Sequence, residues 1–257
     1  MKLRVLSYNI HKCIGGLDRK YDPDRVVEVI AHHQPDILLL QEVDNAAKRS
    51  QRHYQVEMLA KKLDMPYHQW SPVVAVRGGG HHGNAILSRF PLLEGNHIDI
   101  TTPPKKKRSV SYAQHHFPHQ PSKQRLPPPN SQPARRTLHL FNMHLGLSQI
   151  ERKLQLRRFL ETHTSGIHSD DPVIVAGDLN DLYGNLGAKV FGPAGFSTVA
   201  KPAATFPAYA PLRALDGLYL RGPIQLVSLT RSDLKLAKRA SDHLPLIADV
   251  ELGDSQR

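Results

Sequence analysis

Short apolar runs that end in polar residues constrain the fold of this chain more than any other feature. The stretch VIVAGDLND at 173–181 places four apolar residues before Gly177, and Asp178 and Asn180 follow at once. A continuous apolar run of this length is typical of a strand with both faces covered. Because side chains alternate along an extended chain, Asp178 and Asn180 share one side. The stretch therefore predicts a buried strand that presents two polar groups at its end.

Similar runs alternate with amphipathic segments along the whole chain. Helices are predicted over YDPDRVVEVIAHHQPD, with Asp22 as N-cap and Pro23 at the first helical position, and over QRHYQVEMLAKKLD and QIERKLQLRRFLETHT. Strands are predicted over LRVLSYNI, DILLLQEV, NAILSRFP, RTLHLFNMHL, PVIVAGDLN, ALDGLYLRG and HLPLIADVEL. This order favours an α/β fold in which strands pack sheet on sheet with helices outside.

The composition limits the cellular setting and the class of protein. No apolar run approaches the roughly 18 residues that cross a bilayer, and MKLRVLSYNI has the alternation of a strand, not the pattern of a signal peptide. The lone Cys13 forms no internal disulfide and suits a reducing compartment. We therefore expect a cytoplasmic protein.

One stretch carries most of the positive charge. Between Pro103 and Arg136 the sequence has eight Lys and Arg, no acids and eight of the 20 prolines. The formal net charge of the chain is +11, so the residues outside this stretch carry only +3. Such a segment buries too little apolar surface to offset its ordering entropy. We predict a disordered insertion at about 103–136 within one domain spanning 1–257. An insertion in a hairpin connection, with RSVSYAQ as the outgoing strand and RTLHLFNMHL as the return, is more economical than a linker between two domains, because strands after the stretch are needed to complete the sheet.

Polar residues mark the ends or beginnings of most predicted strands. They are Asn9, Glu42, Asn84, His144, Asp178, Asn180, Asp216, Asp242 and His243. Any one of them alone is more often a turn residue, a helix cap or a core histidine, but the recurrence at six or more strand ends favours a shared site. Carboxylates such as Glu42 and Asp242 suit Mg²⁺ or Mn²⁺, and histidines and amides suit phosphate oxygens. The set indicates metal-assisted attack on a phosphorus ester.

These residues lie in motifs that resemble a known family. YNI, LLQEV, GNAILS, NMHLG, GDLND, LDGLYL and SDHLPL occur in the order seen in the endonuclease/exonuclease/phosphatase superfamily, whose members include deoxyribonuclease I. The resemblance runs from about Leu3 to Leu252, and the start YNIHK is similar to that of small bacterial metal-dependent hydrolases. It implies a four-layer α/β/β/α sandwich, with two mixed sheets packed face to face and helices on both outer faces.

The resemblance also implies roles for individual residues. Glu42 would be the principal ligand of one Mg²⁺, or Mn²⁺, with Asn9 nearby and Asp242 as a second metal contact. His243, oriented by Asp216, would activate water or stabilise phosphorane charge. Asp178 would position or deprotonate the nucleophile, and Asn180 would bind the scissile phosphate. His144 would contact phosphate or assist the leaving group, and Asn84 would bind substrate.

One position departs from the pattern of the apurinic endonucleases. They place an Asp two residues after the first-strand Asn, where this chain has His11. The departure weakens a DNA-repair assignment. His11 is a candidate substrate contact, and a packing role fits it about as well.

The substrate class stays open at this point. The mild charge outside 103–136 favours a phosphodiesterase acting on a small molecule or lipid headgroup. A DNA or RNA nuclease that holds the backbone with the basic stretch is the alternative. A third hypothesis is an inactive module in which 103–136 binds an anionic partner or surface, and the complete set of candidate catalytic residues argues against it.

Overall fold

The computed structural model describes residues 1–118, 135–197 and 203–253, without the side chains of Glu94, Pro118 and Arg135. The described residues form eleven strands: β1 Lys2–Asn9, β2 Ile37–Asn45, β3 Tyr67–Ala75, β4 His81–Ser88, β5 Leu93–Asp99, β6 Ser109–Pro118, β7 Arg135–His144, β8 Val173–Asp178, β9 Asp216–Arg221, β10 Ile224–Arg231 and β11 Leu246–Leu252. The α-helices are α1 Pro23–His33, α2 Gln55–Leu63, α3 Gln149–Phe159 and the short α4 Ala237–Ala240.

The strands form two mixed sheets. The first has the order β10-β11-β1-β2-β4-β3 and the second the order β5-β6-β7-β8-β9. Each sheet contains one parallel pair, β1 with β2 and β7 with β8. The carboxyl ends of these four strands carry the polar residues singled out in the sequence, so the topology brings them to corresponding edges of the two sheets.

Three apolar clusters separate the layers. Alternate residues of β1 and β2 divide between them: Val5 and Leu39 pack toward the second sheet, with Leu140 and Ile174, in a central cluster. Leu6, Leu38 and Leu40 face the opposite way, where they pack against Val29 and Ile30 of α1 and Leu59 of α2. On the far side of the second sheet, Phe141 and Val175 pack against Leu156 and Phe159 of α3. The predicted four-layer sandwich is confirmed.

A strand lies in the first half of the stretch predicted as mostly disordered. Strand β6 occupies 109–118 and pairs with both β5 and β7, with Val110 and Ala113 fully buried. Strand β6 contains most of the predicted outgoing strand RSVSYAQ and extends beyond it to residue 118, because its alternating apolar side chains pack into the sandwich on both faces of the sheet. Residues 119–134, the centre of the predicted insertion, lie outside the described residues.

None of the helices in the described ranges is long and apolar enough to cross a membrane.

Candidate active site

Three adjacent strands of the second sheet place a histidine and two aspartates side by side. The parallel register of β7 and β8 pairs His144 with Asp178, and the antiparallel register of β8 and β9 pairs Asp178 with Asp216. Gly177 precedes Asp178 at φ 146°, and a Cβ there would lie 1.9 Å from the carbonyl oxygen of Met143. Glycine is therefore required for β8 to approach β7 at this point.

A bulge in β2 sets the direction of Glu42. The pairing of β2 with β4 shifts between Leu40 and Val43, so that two residues of β2 stand opposite Asn84 alone. Glu42 lies in this bulge with φ 57°, a left-handed conformation that costs a glutamate about 1 kcal/mol or more. The bulge interrupts the alternation of β2 and turns the carboxylate toward the end of the sandwich.

Asn9 and Asp178 connect the two sheets at this end. Asn9 Nδ2, at the end of β1, donates a hydrogen bond of 2.9 Å to Asp178 Oδ2, at the end of β8. The other oxygen, Asp178 Oδ1, accepts the backbone N–H of Asn180 at 3.0 Å. Asn180 has φ 50°, which asparagine tolerates, and its Nδ2 donates to Leu145 O at 3.0 Å. Both oxygens of the buried Asp178 carboxylate are thus fixed by named donors.

A hydrogen-bonded chain leads from Thr205 to His243. His243 Nδ1 lies 2.8 Å from Asp216 Oδ2, which also accepts the Thr205 hydroxyl at 2.5 Å. Since a carboxylate only accepts, Nδ1 is the donor, and the second ring nitrogen, Nε2, lies 3.7 Å from Asp178 Oδ2. Burial lowers the pKa of His243, but the carboxylates of Asp216 and Asp178 outweigh it and raise the pKa to about 10. The imidazolium form is therefore favoured between two carboxylates.

The pKa of His144 is shifted in the opposite direction to the pKa of His243. Its Nε2 lies 3.5 Å from Asp178 Oδ2. Burial lowers the pKa of His144 to about 4, since desolvation exceeds the favourable effect of the Asp178 carboxylate. Asp178 thus lies between His243, whose charged form is favoured, and His144, whose neutral form is favoured.

These groups face a single cleft of about 1010 Å³. Seven of the ten predicted site residues line it: Asn9, Glu42, Asn84, His144, Asp178, Asn180 and His243. Asn84 reaches across to the second sheet, where its Nδ2 donates to Ser109 O at 3.3 Å. The cleft also carries seven Lys and Arg side chains, namely Lys12, Arg49, Arg77, Lys106, Lys107, Arg108 and Arg213.

The other three predicted residues lie outside the described lining of the cleft. Asp216 stands behind His243, as expected of a group that orients it. Asp242 lines a separate cavity of about 310 Å³, together with Tyr209. His11 Nδ1 lies 2.8 Å from Ile14 O and 3.9 Å from Asp242 Oδ1, so the structure places this ring against its own loop.

Lys12, Thr205 and Ser241 are polar contacts of the site that the sequence analysis missed. The Lys12 ammonium is hydrogen-bonded to Glu42 Oε2. Ser241 Oγ donates 2.7 Å to the carbonyl oxygen of Asn9 and so fixes the end of β1. Lys12 lies in the short 3-10 helix His11–Cys13 and Thr205 in a loop. Both segments are too short for a periodic pattern, so hydrophobic pattern gives no signal for them. Ser241 was detectable as the first residue of the SDH motif.

The residues offer two positions suited to a divalent cation. Burial alone would raise the pKa of Glu42, but the Lys12 ammonium lowers it well below its usual range, with a smaller effect from His144. Glu42 is thus an ionised oxygen ligand that already attracts a cation. Elsewhere among the described residues, ligand atoms of Asp178, Asp216 and His243 lie within 4.8 Å of one another. There, however, His243 Nδ1 is already bonded to Asp216. The donor chemistry of Glu42 fits a metal as it stands, whereas at the second position the favoured imidazolium of His243 would have to lose a proton first.

A family model supplies the identification. The model described as the Endonuclease/Exonuclease/phosphatase family matches residues 6–243, a range that contains every candidate site residue from Asn9 to His243. The chain belongs to this family. The YbhP protein of Escherichia coli K12 is 30% identical over an alignment of 265 positions, which covers 97% of this chain and 96% of that protein.

Solved structures of similar proteins share the fold. A protein of Beutenbergia cavernae described as endonuclease/exonuclease/phosphatase superposes with a TM-score of 0.77 at 20% identity, covering 98% of this chain and 72% of that one. D. rerio TDP2 complexed with single strand DNA product gives 0.67 at 22% identity, covering 97% and 99%. Membership of the family supports metal-dependent hydrolysis of phosphoesters in general terms.

Proposed function

We propose that this family member is a Mg²⁺- or Mn²⁺-dependent hydrolase of phosphodiesters. The observation that carries the proposal is the position of Asp178 in the cleft, with its Oδ2 at 3.7 Å from His243 Nε2 and 3.5 Å from His144 Nε2. A carboxylate between two imidazoles provides for proton transfer to and from a reacting group. A purely structural aspartate would have no need of two histidines at the wall of an open cleft.

In this proposal the Asp178 carboxylate, beside the imidazolium of His243, accepts the proton of the attacking water. Asn9 and the backbone N–H of Asn180 hold the carboxylate in one orientation, which lowers the entropy cost of alignment. Asp216 holds His243 with Nδ1 as donor, and Nε2 therefore faces Asp178. His243 in its charged form also stabilises negative charge that develops on the phosphorus oxygens.

The other residues bind the ester. The neutral form of His144, favoured by burial, donates one hydrogen bond to a phosphate oxygen or to the leaving group. Asn180 binds the scissile phosphate, and Asn84 contacts the remainder of the substrate; both side chains line the cleft.

Glu42 is the proposed principal metal ligand, with Asn9 beside it. A divalent cation at Glu42 supplies Lewis-acid neutralisation of a phosphate oxygen. The hydrogen bond between the Lys12 ammonium and Glu42 supports this assignment, because the Glu42 carboxylate already binds one positive charge. Asp242 and His11 stay candidates for a metal contact and a substrate contact, and each requires movement of its loop toward the cleft.

Two substrate classes follow from the cleft. The first is a diester of a small molecule or lipid headgroup, which the modest charge outside 103–136 favours. The second is a nucleic-acid strand, and the specific observation for it is that Lys106, Lys107 and Arg108 of the basic stretch line the cleft. The structurally similar D. rerio TDP2, solved in complex with a single strand DNA product, adds to this second candidate.

A substrate panel tests the proposal. The purified chain with Mg²⁺ or Mn²⁺ is assayed on abasic-site DNA, plasmid, RNA, a phosphoinositide, sphingomyelin and a chromogenic diester, with Glu42→Gln as control. Hydrolysis of at least one diester that depends on metal and on Glu42 is expected. Absence of metal-dependent turnover on every substrate would overturn the proposal and favour the inactive binding module.

A further inference from the structure

A second group of polar side chains lies on the wall of the cleft, beyond the proposed catalytic residues. It consists of Asp44, Arg49 and His82, here called the Asp44 cluster. The Asp44 carboxylate, fully buried at the end of β2, accepts Arg49 Nε at 2.7 Å and Arg49 Nη2 at 2.7 Å, one on each oxygen. This two-point pairing fixes the plane of the guanidinium.

His82 and Ser50 complete the contacts of the same carboxylate. His82 Nδ1 lies 2.9 Å from Asp44 Oδ1, and the Ser50 hydroxyl donates to Asp44 Oδ2 at 3.2 Å. Whereas Asp44 is inaccessible, the Arg49 side chain is 40% exposed and the His82 side chain 17%. Both line the cleft that Glu42 and His144 also line. A buried anion thus holds two exposed nitrogen donors at the wall of the cleft.

The charge of the cleft exceeds what one phosphodiester requires. Seven Lys and Arg side chains line it, and five of them remain when Lys12 is set against Glu42 and Arg49 against the buried Asp44. Asp178 is the other carboxylate among the described lining residues. A diester carries one negative charge, and a metal at Glu42 adds further positive charge. At about 1010 Å³ the cleft is at the upper end of the range for small-ligand sites. Both its charge and its size leave room for a second anionic group.

We propose that the Asp44 cluster is a subsite for a second phosphate of the substrate, beside the scissile one. Arg49 makes the contact, His82 assists it, and Asp44 is a positioning residue that fixes the guanidinium. Arg49 Nη1 takes no part in the pair with Asp44 and is the donor assigned to the ligand. The substrate is then a phosphodiester that bears a further phosphate, whether in a nucleotide or in a phosphorylated headgroup.

The subsite proposal rests on the proposed function in one respect only: the first phosphate is taken to be the scissile phosphate of the diester. The competing explanation is structural: Asp44 and Arg49 anchor the loop between β2 and α2. An anchor has no effect on which ligands bind, so a comparison of ligands with one and two phosphates separates the two explanations.

Equilibrium binding without divalent metal provides the test, since no hydrolysis then contributes. Calorimetry compares thymidine 3′,5′-bisphosphate with thymidine 5′-monophosphate, and inositol 1,4-bisphosphate with inositol 1-monophosphate. For at least one pair we expect the bisphosphate to bind roughly tenfold more tightly, on the scale of one charge-assisted hydrogen bond at a partly exposed site. The pair that shows the preference distinguishes the nucleotide from the headgroup source.

Three variants show whether Arg49 is responsible. Arg49→Met keeps the length of the side chain and is expected to abolish the preference for the bisphosphate while leaving monophosphate affinity within about twofold. Arg52→Met is the matched control, because Arg52 is an exposed arginine of the same loop that lies outside the described lining of the cleft. The double variant Asp44→Asn/Arg49→Met leaves no unpaired buried carboxylate, so it provides the same test if Arg49→Met alone fails to fold.

The results have separate meanings for the two proposals. Equal affinity for both members of each pair in the wild type, or a preference that survives in the Arg49 variants, would overturn the subsite. Because binding is measured without turnover, the subsite is decided even if no substrate is hydrolysed, and a failure of hydrolysis bears on the proposed function alone.

Discussion

Asn9 at the end of β1 and Asp178 at the end of β8 are joined by a 2.9 Å hydrogen bond that crosses from one sheet to the other. The contact requires the carboxyl ends of two parallel strand pairs, one in each sheet, to meet at the same end of the sandwich. Glu42 follows the residue paired with Asn9, and His144 and Asp216 flank Asp178. This bond therefore links the proposed metal side of the cleft directly to the proposed proton-transfer side.

Thr205 is predicted to act through Asp216. Its hydroxyl donates to the same oxygen that accepts His243 Nδ1, so Thr205→Val leaves that carboxylate with one donor fewer. We expect kcat for diester hydrolysis to fall roughly tenfold, the scale of one hydrogen bond, with KM little changed. Thr205→Ser retains the hydroxyl and should restore most of the rate. Equal losses of kcat in the Val and Ser variants would contradict a role for the hydroxyl.

Glu42 is predicted to set the metal requirement. Glu42→Gln removes a charged ligand and should raise the Mg²⁺ concentration for half-maximal activity about tenfold or more. Asp216→Asn serves as the comparison, since Asp216 belongs to the other group of potential ligands. It should lower kcat without moving the Mg²⁺ titration midpoint. The reverse pattern, a midpoint moved by Asp216→Asn and not by Glu42→Gln, would place the metal at Asp178, Asp216 and His243.

Gly177 is predicted to be essential for the geometry of β8. A methyl group there would clash with Met143 O in addition to straining a backbone at φ 146°. Gly177→Ala should lower the free energy of unfolding by about 2 kcal/mol or more, measured by urea denaturation. Gly184→Ala is the matched control, because Gly184 also has positive φ, at 61°, but has open space around its Cβ position. Similar losses in both variants would mean that the clash contributes nothing.

The sequence predicted the interior of the fold better than its edges. Strands β1, β2, β7, β8 and β11 have strong apolar patterns because both of their faces are covered. The three strands that were missed, β3, β5 and β10, all lie at the edges of the sheets. Edge strands need less apolar surface and tolerate proline, as Pro72 in β3 shows. Their patterns are accordingly weak.

The candidate site was predictable where its residues end strands. Strand pairing places His144, Asp178 and Asp216 in register, and this follows from motif order together with the parallel connection of β7 to β8. Lys12 comes from a single 3-10 turn and Thr205 from a loop, and the approach of both segments to the site depends on tertiary packing. The separation of Asp242 from its neighbour His243 was equally hidden, since both lie in a bend before β11, where no strand alternation sets their directions, and they line different cavities.

The most direct measurement is kcat for hydrolysis of a chromogenic phosphodiester by Asp178→Asn and His243→Ala at saturating Mg²⁺. Asn at 178 keeps the shape of the side chain but removes its charge between the two histidines, and Ala at 243 removes the imidazole. Each variant is predicted to lose roughly 10²–10⁴ in kcat, the range for a lost acid–base group, while its unfolding transition stays cooperative. Near-normal turnover in either folded variant would contradict the proposed active site.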